Sequence, residues 1–165
     1  CTTLSFGYRA YSAEELHESI EQECPTKKID TYYQDPVWIN NHLPALIPTS
    51  AINNANNVLT INADEFAEFI TKLDTLDTQI LQEFEIESQT TLFDEENIYQ
   101  LYPVCKIAYH LEKESITLFI NGNLFNTNGH KQTVLTDFCN TRQINAYKNK
   151  ALAQQLFELG LLQEK

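Results

Sequence analysis

One short segment has the residue types and spacing of a metal-binding pair. His110 and Glu112 are separated by Leu111, and residues i and i+2 of a strand lie on the same face. His130 could supply a distant third ligand. However, the pair ends a predicted strand directly before a charged turn, and two-residue matches of this kind arise easily by chance. We therefore interpret these residues as structural and predict no metal site.

No other pattern in the chain predicts catalysis. His17 and His42 have no partners at ligand spacing, and with only four glycines a phosphate-binding loop is hard to build. The cysteines are widely scattered, without a C-x-x-C motif: Cys1, Cys24, Cys105 and Cys139. This usage indicates buried thiols in a cytoplasmic protein. We predict no catalytic residue in the chain.

The net charge of −12 is unevenly distributed. Up to Tyr102 the chain has four basic and eighteen acidic residues, a balance of −14, whereas the remainder carries +2. This asymmetry indicates two modules, the first of which would repel nucleic acid and attract a basic partner. No apolar run approaches the roughly 20 residues of a membrane span, so we expect no membrane partner.

The first residues have the pattern of a strand followed by a helix. Apolar and polar side chains alternate over residues 2–9, and Ser12 with Glu15 forms a capping box that starts a helix over residues 13–23. A strand needs partners for its backbone groups, and the chain has no methionine. We expect residues 1–11 to be the last strand of a domain that lies upstream.

Residues 12–90 are predicted to form a helical module. Thr49–Leu59 has helical spacing, and a further helix is expected after Asn62, with Glu65 at the capping-box position. An apolar stripe then follows the i, i+3, i+4, i+7 pattern: Phe66, Phe69, Ile70 and Leu73. Residues 77–84 continue this helix or form another, and residues 85–91 are the expected linker.

Residues 91–165 have the pattern of a winged-helix-like domain. A short helix capped by Asp94 and carrying Ile98 and Leu101 precedes strands over residues 104–111 and 115–120. Asn121-Gly122 is a turn signal before a returning strand at 124–127. Two helices follow, and Gly160 is expected to end the second of them. The predicted fold class is α+β, mostly helical.

A winged helix raises the possibility of DNA binding. Four basic residues surround the two last predicted helices: Lys131, Arg142, Lys148 and Lys150. Because the chain after Tyr102 carries only +2, DNA binding is not expected, and a protein-contact or architectural role is the better interpretation. Tyr32, Tyr33 and Trp38 are read as packing residues.

Two segments carry a resemblance to a known family. Ser5-Phe6-Gly7-Tyr8-Arg9-Ala10 resembles the last jelly-roll strand of the cupin-like JmjC ribosomal oxygenases. Tyr32-Tyr33-Gln34-Asp35-Pro36 resembles a stretch that follows the next helix in bacterial members, the ribosomal protein arginine hydroxylases. The order of helical module and winged helix also matches.

This resemblance implies an enzymatic parent protein. In that family Fe(II) is held by a His-x-Asp pair and a distant His, and 2-oxoglutarate is the cosubstrate. The ligands would all lie upstream of Cys1, so this chain alone would be inactive. Thr3 would lie at the edge of the cosubstrate pocket, although the better-known bacterial enzyme has Asn there. The resemblance further implies a homodimer and a basic ribosomal protein as substrate. The alternative is a non-enzymatic regulatory or scaffolding protein with a winged helix.

Overall fold

The computed structural model describes residues 43–59, 61–88, 92–112 and 115–165. These residues form an α+β fold with five helices and two small antiparallel sheets. The predicted strand at residues 2–9, the predicted helix at 13–23 and Thr3 lie outside the described residues, so the jelly-roll strand stays a prediction. None of the described helices is long and apolar enough to cross a membrane.

Three helices come first along the described chain. They are α1 (Thr49–Leu59), α2 (Ala63–Thr71) and α3 (Thr75–Ser88), and the bounds predicted for α1 are confirmed. The predicted capping box before α2 is also confirmed, because Asn62 Oδ1 accepts from the Glu65 N–H at 3.0 Å and Glu65 Oε2 accepts from the Asn62 N–H at 2.8 Å. The expected linker at 85–91 is wrong in part, since α3 continues through Ser88.

The first sheet is a three-stranded meander in the order β2-β3-β4. It consists of β2 (Ile107–Glu112), β3 (Ser115–Ile120) and β4 (Asn123–Phe125). The turn before β4 has positive φ at Asn121 (53°) and Gly122 (76°), as the Asn-Gly signal predicts. On the outer side of β2, Leu46 forms an isolated parallel bridge with Tyr109. The chain that enters the domain thus lies directly beside this sheet.

The second sheet has the order β5-β1-β6, with β1 (Ile98–Leu101) in the centre. β5 (Gln143–Asn145) and β6 (Leu162–Glu164) pair with it antiparallel on either side. The prediction of a helix carrying Ile98 and Leu101 is therefore wrong. Tyr99 and Leu101 are buried while Ile98 is exposed, which is the period-2 pattern of a strand.

Two further helices complete the fold: α4 (Gln132–Thr141) and α5 (Lys150–Glu158). Both are predicted from the sequence, and Gly160 has the positive φ of 67° expected of the residue that ends α5. The helices contribute buried residues to the main core, among them Leu135 and Phe138 of α4 and Leu152 and Leu156 of α5.

The buried apolar residues form two clusters. The larger one joins both sheets with α4 and α5, and it includes Leu81 of α3. In the smaller one, α1 and α2 cover a sheet face, so that Phe66 packs with Ala108 of β2 and Phe119 of β3. Phe69 and Ile70 are half-buried against the same cluster. These contacts join helices from before residue 90 to strands that come after it.

Candidate functional site

His110 lies in β2 with its side chain only 3% exposed. Because alternate residues of β2 share a face, His110 points, like Ala108, toward the helices that cover the sheet. Its Nε2 lies 2.6 Å from Oδ1 of Asp64, a 62% exposed carboxylate in the first turn of α2. Glu112 is exposed. The histidine therefore contacts a carboxylate 46 positions away and not the one two residues later.

His130 does not join His110 in a metal-binding group of the described residues. It lies in the loop before α4, where its Nε2 is 2.9 Å from Oε1 of Gln155 on α5. Within the described ranges, no three His, Cys, Asp or Glu side chains come together in a way that could hold a metal ion. The described residues therefore do not fit an iron site, and His17 and His42 lie outside them.

We expect His110→Ala to lower the free energy of unfolding by about 2 kcal/mol, because it leaves a void between β2 and α2 and removes the bond to Asp64. Glu112→Ala, two residues away on the exposed strand end, should change it by less than about 0.5 kcal/mol. Urea unfolding followed by circular dichroism measures both values. Equal stability of the two variants would contradict a structural role for His110.

Arg142 is one of the four basic residues that were considered as DNA contacts, and its guanidinium donates hydrogen bonds within the protein. The residue ends α4 with a left-handed φ of 58°. Its Nη2 donates to the carbonyl oxygens of Tyr102 at 3.0 Å and Cys105 at 2.8 Å, in the connection between β1 and β2. Burial lowers the pKa of Arg142, and the neighbouring Cys105 opposes this shift. The side chain joins α4 to the β1–β2 connection.

The other three basic residues differ from Arg142 in their surroundings. Lys150, at the start of α5, forms an ion pair with Glu95. Lys131 and Lys148 are exposed, as is the acidic Asp137 within α4. Of the four cations predicted around these helices, two are therefore engaged by other groups of the protein.

A partly buried polar network around Asn140 was not predicted from the sequence. Asn140 Nδ2 donates to the Thr136 carbonyl at 2.7 Å and to the Tyr109 phenol at 3.1 Å, and its Oδ1 accepts from the Ala45 N–H at 3.1 Å. The Tyr109 N–H also donates to the Ala45 carbonyl at 2.8 Å. Burial raises the pKa of Tyr109, and the Asn140 bond opposes this. These hydrogen bonds join the segment before α1, at Ala45, to both β2 and α4.

Cys105 and Cys139 are buried thiols, as predicted; Cys1 and Cys24 lie outside the described residues. Burial raises the pKa of Cys139 to about 12. Because the thiolate is the reactive form of cysteine, this side chain stays protonated and a poor nucleophile at neutral pH. Its role is to fill the core beside Phe138.

Comparison with known proteins identifies the domain. The family model of the ROXA-like winged helix matches residues 58–163, well over half of the chain. No curated protein and no solved structure matches the sequence. The matched range contains α2 to α5, strands β1 to β5 and most of β6, together with the contacts of His110 and Arg142 described above. Of the Asn140 network, Ala45 lies before this range. The chain belongs to the ROXA-like winged helix family.

Proposed function

We propose that this chain is the C-terminal region of an Fe(II)- and 2-oxoglutarate-dependent ribosomal protein hydroxylase. The single observation that carries the proposal is the family match over residues 58–163, since ROXA is a ribosomal oxygenase. The resemblance of residues 5–10 and 32–36 to segments of the JmjC ribosomal oxygenases supports it independently.

In this proposal the chemistry belongs to a jelly-roll domain upstream of Cys1. That domain would hold Fe(II) through a His-x-Asp pair and a later His, with Thr3 at the edge of its 2-oxoglutarate pocket. Residues 12–90 would form a dimerisation module and residues 91–165 a winged-helix domain that contacts protein. The genomic reading frame upstream of Cys1 provides an inexpensive test. The proposal requires a His-x-Asp motif and a later His there, and an immediate start codon would contradict it.

We expect the protein to form a homodimer through its helical module. Phe66 is buried within its own chain, but Phe69 and Ile70 are only half-buried, which leaves apolar surface on α2. Sedimentation velocity at tens of micromolar should therefore report a dimer, and Phe69→Glu should shift it toward monomer because a charge would be buried at the interface. Glu68→Gln, an exposed neighbour, is the control. A monomer under these conditions would contradict the expectation.

The alternative function is that of a non-enzymatic winged-helix regulatory or scaffolding protein. A DNA-binding version of this function would require several phosphate contacts. The engagement of Arg142 by carbonyl oxygens and of Lys150 by Glu95 reduces the cations available for them.

We expect the chain to bind duplex DNA weakly or not at all at physiological salt. Its net charge of −12 repels phosphates, and Lys131 and Lys148 are too few to offset it. Fluorescence anisotropy with a labelled duplex measures the affinity, with Lys131→Gln/Lys148→Gln as the comparison variant. Sub-micromolar binding with a steep salt dependence, lost in this variant, would contradict the prediction and favour the alternative.

A further inference from the structure

An open cavity of about 720 Å³ lies beside the second sheet. Its lining combines the loop before β1 with two residues at the outer strands of the sheet: Leu92, Phe93, Asp94, Glu95, Glu96, Tyr147 and Glu164. Tyr147 follows β5 and Glu164 belongs to β6, and both strands pair with β1. We refer to this site as the acidic cavity.

The acidic cavity exposes two large apolar side chains. Leu92 is 88% exposed and Tyr147 is 79% exposed, the highest values among the large hydrophobic residues that the structure describes. Both line the same cavity. An exposed leucine alone is ordinary, whereas an exposed aliphatic and an exposed aromatic side chain around one concave site are typical of interaction surfaces.

The loop that forms one wall is held rigidly. Phe93 stacks on Tyr99 with ring centroids 5.6 Å apart and meets Phe157 edge-on at 5.4 Å. The Tyr99 phenol accepts from the Asp94 N–H at 2.7 Å and donates to the Asp94 carbonyl at 3.2 Å. Asp94 Oδ1 in turn accepts from the Glu96 N–H at 2.9 Å. A wall that is already ordered costs less entropy when a ligand binds.

The negative charge of the cavity favours a cationic ligand. Asp94, Glu95, Glu96 and Glu164 supply four carboxylates, all on exposed residues. The described residues that line it include no cation. The nearby Lys150 pairs with Glu95, and Lys165 Nζ donates to Gln143 Oε1 at 2.9 Å, so the lining carries a negative surplus. A cationic ligand with an apolar side chain would be complementary to both features. An anionic nucleic acid would be repelled.

We propose that the acidic cavity binds a lysine- and arginine-rich protein segment that carries an aliphatic or aromatic side chain. The apolar group packs against Leu92 and Tyr147, and the basic groups meet Glu96 and Glu164. This inference goes beyond the proposed function, because it assigns a binding site to the winged-helix domain that does not depend on iron or on 2-oxoglutarate.

The test uses the full chain and a fluorescein-labelled peptide of lysines and arginines around a central Leu-Phe pair. Fluorescence anisotropy measures its affinity at physiological salt. A second peptide has Ser-Ser in place of Leu-Phe, and it separates the apolar contribution from the charge. Glu96→Gln/Glu164→Gln and Tyr147→Ala are the cavity variants. Glu68→Gln/Glu112→Gln removes the same charge at exposed sites outside the cavity, and Leu124→Ala truncates an exposed side chain on β4.

We expect the Leu-Phe peptide to bind and the Ser-Ser peptide to bind at least about fivefold more weakly. Both cavity variants should lose about fivefold or more, corresponding to about 1 kcal/mol, whereas the two control variants should remain within about twofold. Absence of binding would overturn the proposal. Equal losses in the cavity and control charge variants would also overturn it, since they would show attraction to the overall negative charge and not to this site.

Discussion

Tyr99→Ala is expected to lower the free energy of unfolding by about 3–5 kcal/mol, the largest effect of any single substitution considered for this chain. Tyr99 is fully buried in the central strand of the second sheet. Its ring contacts Phe93 and Phe157, and its hydroxyl holds both backbone groups of Asp94. Removal of the side chain leaves a large void and releases the loop before β1.

Two further variants separate the contribution of the Tyr99 hydroxyl from that of its ring, and the effect of a buried tyrosine from that of an exposed one. Tyr99→Phe keeps the ring and loses only the hydroxyl, so we expect a cost of about 1–2 kcal/mol. Tyr147→Ala truncates an exposed tyrosine outside the core and should cost less than about 0.5 kcal/mol. Chemical denaturation measures all three. A Tyr99→Ala variant within about 1 kcal/mol of the parent would contradict the central position of this residue in the fold.

The sequence predicted those elements whose signals are local. The α1 helix, the Asn62–Glu65 capping box, the Asn121-Gly122 turn and β3 each depend on residues a few positions apart. In such segments the chain itself contains the hydrogen-bonding partner or the required backbone conformation, so no tertiary contact is needed to recognise them.

The second sheet could not be recognised in this way. Its strands β1, β5 and β6 are only three or four residues long, too short for a periodic pattern. Gln143 pairs with Gln100, and Gln163 pairs with Gln100 from the other side. Strands of this kind exist because distant segments provide partners, and tertiary context then overrides a local helix signal such as Asp94 with Ile98 and Leu101.

The side-chain contacts of the candidate site also depend on distant residues. His110 was correctly placed on a strand, but its partner Asp64 lies on a helix that the sequence does not connect to it. Arg142 is of a residue type that often contacts DNA. It lies at the C-terminal end of α4, however, and its guanidinium donates to a backbone carbonyl of the same chain. The only available sign for Asn140 was a polar residue directly after two core positions of an amphipathic helix, and this did not indicate three bonding partners.

The most direct test of the proposed function is hydroxylation by the protein encoded in the complete reading frame. This protein is incubated with Fe(II), ascorbate, 2-oxoglutarate and ribosomal proteins, which are then analysed by mass spectrometry. We predict that one atom of O2 is added to a side chain of a basic ribosomal protein and the other enters succinate, with CO2 released and with dependence on 2-oxoglutarate. The chain of residues 1–165 alone should release no succinate. The account would be contradicted if the complete protein gave no 2-oxoglutarate-dependent product, or if residues 1–165 alone released succinate and His110→Ala abolished it.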